Sequence, residues 1–253
     1  MANGQIKDFD AEKTAERIVL WIREYFKQNA SEKTVAVIGI SGGKDSSVAA
    51  ALCVKALGRE RVFGVLMPQG EQADIDCSFR LVKHLGIEHC VINIKETADA
   101  LYNAISDAPL SINDQIKINT PARLRMTTLY AVAACKGGRV INTCNLSEDY
   151  VGYSTKFGDS AGDMSPLSDL TVSEVIAVGD ALGLPYELTH KTPIDGLCGK
   201  SDEDNLGFTY AELDNYIRSG PQALADKPEL IEKIEKMHKY NLHKLSLMPK
   251  FEL

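Results

Sequence analysis

Seven consecutive residues, Ser41-Gly42-Gly43-Lys44-Asp45-Ser46-Ser47, carry the densest chemistry in this chain. Two adjacent glycines let the backbone take a positive φ and leave no side chain between main-chain N–H groups and a ligand. The free N–H groups of a helix starting there would point outward, and such a place binds phosphate. The common ATP/GTP pattern, G-x-x-x-x-G-K-[ST], needs Gly where Ile38 stands and Ser or Thr where Asp45 stands, so this is a different loop. A carboxylate at position 45 would repel a bare phosphate but suits a bridging Mg²⁺, a hard cation that takes oxygens from protein and phosphates together. The residues therefore point to metal-bound pyrophosphate.

A strand must deliver such a loop and a helix must receive it. Residues 35–40, VAVIGI, are a β-branched apolar run, and the alanine-rich stretch 46–57 has good helix propensity and stops at Gly58. Ahead of them, 10–28 places Ala15, Ile18, Val19, Ile22, Tyr25 and Phe26 at helical spacing, so an amphipathic helix leads into the first strand. A second strand is predicted at 61–67, closed by Pro68, then a helix at 71–85 stopped by Gly86 and a third strand at 90–94. A helix at 121–136, Gly137-Gly138 and a fourth strand at 139–144 follow, and that strand feeds a polar loop over 145–162.

Thr171-Val172-Ser173-Glu174 is a capping box opening a helix over 171–182, ended by Gly183 and Pro185. A loop with Gly196 and Gly199, a helix at 202–218, a break at Gly220-Pro221 and a lysine-rich helix to about residue 244 complete the chain. Strands separated by helices of this length imply an α/β fold, a three-layer Rossmann-like parallel sheet with right-handed crossovers and helices on both faces. Ligands collect at the carboxyl ends of such strands, which places phosphates on the glycine turn and adenine beside it near Met67-Pro68.

The 253 residues, 44% apolar and 25% charged, describe an ordinary globular chain long enough to bury a core. A net charge of −7 argues against a nucleic-acid partner, because backbone binding needs a cationic surface. The longest apolar run near the N-terminus, 18–22, is too short for a leader or a membrane span, so a cytoplasmic protein without a membrane partner is expected. Cys53, Cys77, Cys90, Cys135, Cys144 and Cys198 include no C-x-x-C pair and are expected to be reduced and mostly buried.

SGGKDSS resembles the pyrophosphate loop of the ATP-pyrophosphatase superfamily, enzymes that split ATP between its α and β phosphates and activate a substrate as its AMP adduct. Three further stretches are similar to the ammonia-dependent NAD synthetase family, and the similarity runs from about residue 10 to 250. NTPARLRM at 119–126 is similar to that family's arginine-bearing helix start, with Arg123 matched to a contact with nicotinic acid adenine dinucleotide and Arg125 on a neighbouring, structural face. TCNLSEDYVGYSTKFGDSAGD at 143–163 matches a stretch in which Thr143 takes an ATP role, Glu148 a Mg²⁺ role, and Lys156 and Asp163 dinucleotide roles. His243-Lys244 matches a pair that closes over that substrate.

The resemblance implies the adenine nucleotide alpha hydrolase-like version of the fold, one NAD synthetase domain over 1–253 without a glutaminase domain, and free ammonia as nitrogen source. ATP would lie on Gly39, Ile40, Ser41, Gly42, Gly43, Lys44, Asp45, Ser46 and Thr143, with Mg²⁺ on Asp45 and Glu148. The implied reaction converts the nicotinate carboxylate to an acyl-AMP, releases pyrophosphate, and lets ammonia displace AMP to give NAD⁺, as the last step of NAD biosynthesis. Asp45, Glu148 and Asp163 are then the catalytic set, with Asp163 or Asp159 accepting a proton from ammonium. A homodimer with the dinucleotide near its interface is implied too, and the helices at 10–28 and around Arg123 are the candidate contact faces.

Two positions depart from the family pattern. Val172 stands where a lysine often reaches ATP, and Ile194 where Ser or Thr is usual. Losing a cation and a hydroxyl beside a triphosphate weakens binding by about 1 to 3 kcal/mol unless something replaces them, and Lys44 is the expected replacement. The competing readings are another ligase of the superfamily and a non-catalytic adenine-nucleotide sensor like the universal stress proteins. A sensor would have no use for Asp45, Glu148 or the segment around Arg123.

Overall fold

Each half of the chain's apolar pattern finds its own side of a sheet. In the computed structural model, which describes residues 9–191 and 201–252, the sheet has four parallel strands. They are β1 (Val35–Gly39), β2 (Val62–Leu66), β3 (Glu88–Val91) and β4 (Gly138–Ile141), in spatial order β3-β2-β1-β4. Side chains alternate across the pleat. Ala36, Ile38 and Leu66 pack under α1 (Ala11–Asn29), α2 (Lys44–Leu57), α3 (Ile75–Leu85) and α7 (Val172–Ala181), while Val37, Phe63, Val65 and Val140 face Met126, Leu129 and Ala133 of α5 (Asp114–Lys136). These are the three layers that alternating strands and helices predict, and right-handed crossovers running to opposite sides of β1 require helices on opposite faces.

The strand order reverses at β1, since the chain leaves it toward β2 and returns much later to β4 on its other edge. A crevice opens where two neighbouring strands feed connections in opposite directions, at their carboxyl ends. The glycine turn leaves β1 there, and the short helix α6 (Leu146–Val151) follows β4 into the same place.

Several boundaries differ from the sequence expectation. The sequence assigns nothing to 95–107, where α4 (Lys95–Asp107) forms. Helix α5 starts seven residues before Pro121, because Asn113 caps it through Ile116 N at 3.0 Å and the proline is carried inside. The third strand ends at Val91, yet Ile92 and Ile94 still donate to Leu66 and Pro68 carbonyls at 2.9 Å. The fourth ends at Ile141, after which Asn142 N pairs with Met164 O at 2.8 Å.

The helix expected at 202–218 is two, α9 (Asp202–Leu206) and α10 (Tyr210–Ser219). Gly207 ends the first at φ +74°, and Thr209 opens the second with a capping box to Glu212. With α6, α8 (Tyr186–Thr189) aside, and α11 (Pro228–Leu245), these form a separate apolar cluster around Leu213, Tyr216 and Ile234 beside the sheet. Of the cysteines described, Cys53 and Cys144 are buried, Cys77 and Cys90 are half-buried and Cys135 is exposed, which corrects the expectation of mostly buried thiols. Cys135 falls on the outer side of α5, where the helical period turns it away from the sheet. Cys198 and the loop glycines Gly196 and Gly199 lie outside the described residues.

Candidate functional site

The turn is packed closely on the helix that follows the second strand. Gly42 sits at φ +78°, and a Cβ there would lie 2.7 Å from Cys77 Cβ and 2.8 Å from Ser78 N. Gly43 caps α2 with no side chain of its own, so the first amides of the helix have no internal acceptor. The serines brace the turn from within: the Ser41 and Ser46 hydroxyls meet at 3.0 Å, Gly43 N donates to Ser41 Oγ at 3.2 Å, and Ser47 Oγ donates to Gly43 O at 2.7 Å. Ile40 is buried and its amide donates to Val65 O at 2.9 Å, while Gly39 leaves space for Met67, whose Cε would lie 3.2 Å from a Cβ at that position.

Lys44 points inward rather than toward solvent. Only 4% exposed, its ammonium lies 2.9 Å from Asp45 Oδ2 and 3.9 Å from Glu148 Oε1. Burial by itself would lower its pKa, but the two carboxylates outweigh burial and hold it above the ordinary lysine value. Glu148 is pushed up to about 8, first by burial and then by Asp45, with Lys44 pulling the other way. Tyr210 closes this pocket; burial and the carboxylates of Glu148, Asp202 and Asp45 raise its phenol far above the usual range. Lys44 Nζ is 5.7 Å from the centre of that ring.

Asp45 and Glu148 thus converge on one cationic centre from the first turns of α2 and α6. The described residues contain no cluster of three or more His, Cys, Asp or Glu arranged to cage a metal. Two carboxylates beside a phosphate loop fit Mg²⁺, which takes one or two protein carboxylates and fills its octahedron with water and substrate phosphate. The ammonium of Lys44 already sits where both carboxylates reach, which shows that the spot is arranged for positive charge. The donor set fits the ion.

Two cavities are lined in part by residues of these elements. One, of about 210 Å³, is lined by Lys44, Val172, Ile176, Lys191, Asp202 and Tyr210. Val172 therefore does face the space beside the loop, and its amide donates to Ser147 Oγ at 3.1 Å. Lys44 shares that space and is paired with Asp45 at 2.9 Å. Lys191, paired with Asp74, is the other ammonium there. Ile194 lies outside the described residues.

The second cavity, of about 260 Å³, is lined by Asn142, Asp149, Ser160, Asp163, Ser165 and Lys244 among others. Lys244 lines it, and hydrogen bonds join Arg123, Lys156 and His243 from separate segments. Arg123 Nε donates to Lys156 O at 3.3 Å, Lys156 Nζ donates to His243 O, and Lys244 Nζ donates to Gly152 O at 2.7 Å and Ser154 O at 2.9 Å. Burial pushes the Lys244 ammonium down.

Thr143 stands half-buried at the exit of β4. Arg125 donates to Met67 O at 3.1 Å, a structural engagement at the end of β2. Asp163 is placed away from the glycine loop: its Oδ2 accepts Val140 N at 2.7 Å along the open edge of β4, and its carbonyl accepts the Tyr25 hydroxyl at 3.0 Å. Asp159 accepts Thr155 N at 2.8 Å. The structure brings Asp45 and Glu148 together and leaves Asp163 in the second cavity.

Sequence reasoning passed over Tyr210, Lys191 and Asn145 as site residues. Asn145 had a usable signal, since an Asn ahead of Leu146-Ser147-Glu148 reads as a helix N-cap. Tyr210 had none, because its position depends on the packing of α10.

The NAD synthase family model matches residues 14–248. The NH(3)-dependent NAD(+) synthetase of Pyrococcus furiosus is 35% identical over 243 residues, covering 92% of this chain and 93% of its own. Among solved structures, that of NMN synthetase from Francisella tularensis superposes with a TM-score of 0.84 at 35% identity, covering 96% of this chain and all of its own. The NH3-dependent NAD synthetase from Campylobacter jejuni, solved with a nitrate ion, gives 0.78 at 29% identity with 96% of this chain and 100% of its own covered.

Proposed function

The chain belongs to the NAD synthase family, and from that premise we propose that it amidates nicotinic acid adenine dinucleotide with ammonia, using ATP, to give NAD⁺. The observation that carries the site assignment is the convergence of Asp45 and Glu148 at the glycine turn, at the point where the strand order reverses. A carboxylate resists ammonia because it is anionic and would have to expel oxide. Adenylylation removes both obstacles: a nicotinate oxygen bonds to the α-phosphorus, the bond from that phosphorus to the β-bridging oxygen breaks, and pyrophosphate departs. Ammonia then bonds to the acyl carbon, AMP leaves with the electron pair, and a proton is lost from nitrogen.

The chain's share of this chemistry is placement and charge. The first amides of α2, from Lys44 onward, receive the departing diphosphate, and Ser41 and Ser46 brace the turn before them. Asp45 and Glu148 would hold Mg²⁺, which when bound neutralises phosphate charge and stabilises the leaving group. Arg123, Lys156 and Lys244 supply positive charge for the phosphates of the second nucleotide, and His243 contacts it. Asp163 contributes by fixing β4 and the wall of that cavity, and Asp159 is the nearer candidate for the ammonium proton. A homodimer belongs to the same reading; Leu20 and Trp21 on α1, 60% and 47% exposed, offer an apolar face for it. No helix among the described residues is long and apolar enough to cross a membrane, and a cytoplasmic site of action is part of the proposal.

A second reading concerns the acceptor. The Francisella protein named for NMN synthesis superposes better than the Campylobacter NAD synthetase at equal coverage. Nicotinic acid mononucleotide is therefore the acceptor to set against the dinucleotide. Purified protein given ATP, Mg²⁺ and ammonium should release pyrophosphate with the dinucleotide and form NAD⁺. A higher kcat/KM with the mononucleotide would transfer the assignment to that substrate, and release with neither would remove both.

A further inference from the structure

Two segments one hundred residues apart in sequence meet at one amide. Asn145 is fully buried, caps α6, and accepts Glu148 N through Oδ1 at 3.0 Å. Its Nδ2 donates to Asp45 Oδ1 at 2.9 Å. A main-chain N–H can only donate, so the Asn145 oxygen must face Glu148, and the NH₂ group is thereby committed to Asp45. Asp45 is left with Oδ2 turned to the cationic centre, 2.9 Å from Lys44 Nζ.

The amide is itself held still. Leu146 N donates to Leu170 O at 2.8 Å, and the Ser147 hydroxyl donates to the buried carboxylate of Asp214 while accepting Val172 N. Helix α6 can neither slide along nor rotate about its axis without breaking these contacts. Capping alone would not call for asparagine. Serine or aspartate caps a helix comparably, but serine is too short to reach Asp45, and aspartate would set a second carboxylate against it.

We propose that Asn145 is a positioning residue for the cation site, setting the separation of Asp45 and Glu148 and holding Asp45 through Oδ1 so that Oδ2 faces the cationic centre. This rests on the reading of Asp45 and Glu148 as Mg²⁺ ligands. Groups that orient metal ligands from behind govern metal affinity as well as rate.

The test uses Mn²⁺ as probe with α,β-methylene ATP, titrated by electron paramagnetic resonance on the full chain. Asn145→Ser and Asn145→Gly both remain serviceable caps, and two variants guard against one failing to fold. Each is expected to keep the wild-type circular dichroism spectrum while its apparent Mn²⁺ dissociation constant rises roughly ten- to a hundredfold. The Mg²⁺ concentration for half-maximal pyrophosphate release should rise in parallel, with KM for the dinucleotide unchanged. Asp45→Asn and Glu148→Gln run alongside. If they lose Mn²⁺ while the Asn145 variants bind it as wild type does, the positioning role is overturned and the cation site stands. If all four bind it normally, the site assignment falls and this inference with it.

Discussion

Position 42 illustrates how little freedom the loop has at the residue scale. A side chain there would meet both the backbone and the Cβ of α3, in a conformation that costs an L-residue about 1 to 2 kcal/mol. Gly42→Ala must therefore push the turn away from α3, and displacements near an ångström cost about a hundredfold in rate. Expected is a loss of about that size in kcat/KM for ATP, read from pyrophosphate release. Glu148→Gln and Asp45→Asn should each abolish pyrophosphate release. Their stabilities should differ, because Asp45 is the closer partner of the buried Lys44 ammonium, and Asp45→Asn is expected to show the lower urea midpoint.

At the scale of elements, the short helices of the C-terminal third depend on their caps. Glu212 Oε2 accepts Thr209 N at 2.8 Å, and Oε1 meets Lys227 Nζ at 2.6 Å. The Lys227 contact first, then the Thr209 amide, hold its carboxyl down to about 2. A depressed carboxyl contributes stability in full above its ordinary pKa near 4.5 and loses it as pH falls through the folded value near 2. Glu212→Ala should cost about 1 kcal/mol at pH 7, the usual worth of a cap. The gap between mutant and wild type in urea melts should shrink as pH drops from about 4.5 toward 2. The same capping chemistry explains what the sequence disclosed here. Thr171 with Glu174 was readable as a capping box, whereas Gly207 inside a longer apolar period hid the break between α9 and α10.

Across the whole molecule, the cluster formed by α6, α9, α10 and α11 is fastened to the sheet layers by buried charge. Glu174 on α7 is fully buried and accepts Arg218 Nε of α10 at 2.9 Å, and Arg218 also reaches the Asp169 carbonyl at 2.6 Å. Asp214 of α10 takes Ser173 N at 2.8 Å as well as the Ser147 hydroxyl. Removing the arginine strands a buried carboxylate, so Arg218→Met is expected to cost about 3 to 5 kcal/mol by urea denaturation. Combining it with Glu174→Gln should recover part of that loss, since the two sites share one interaction. Sedimentation of the wild type at micromolar concentration should give the mass of two chains, and Trp21→Asp should shift it toward one.

The glycine turn, the strand before it, the helix after it and the alternation of strands with helices were all determined by the sequence, because each depends on residues within one or two turns of one another. Backbone conformation, capping and apolar period are local, and so they can be read locally. Only the tertiary structure decided that Asn145 reaches Asp45, that Lys156 meets the carbonyl of His243, that Lys44 turns inward between two carboxylates, and that Asp163 clasps the edge of β4 instead of facing the loop. Those contacts arise where distant elements pack, and no spacing along the chain encodes which two surfaces will come to rest together.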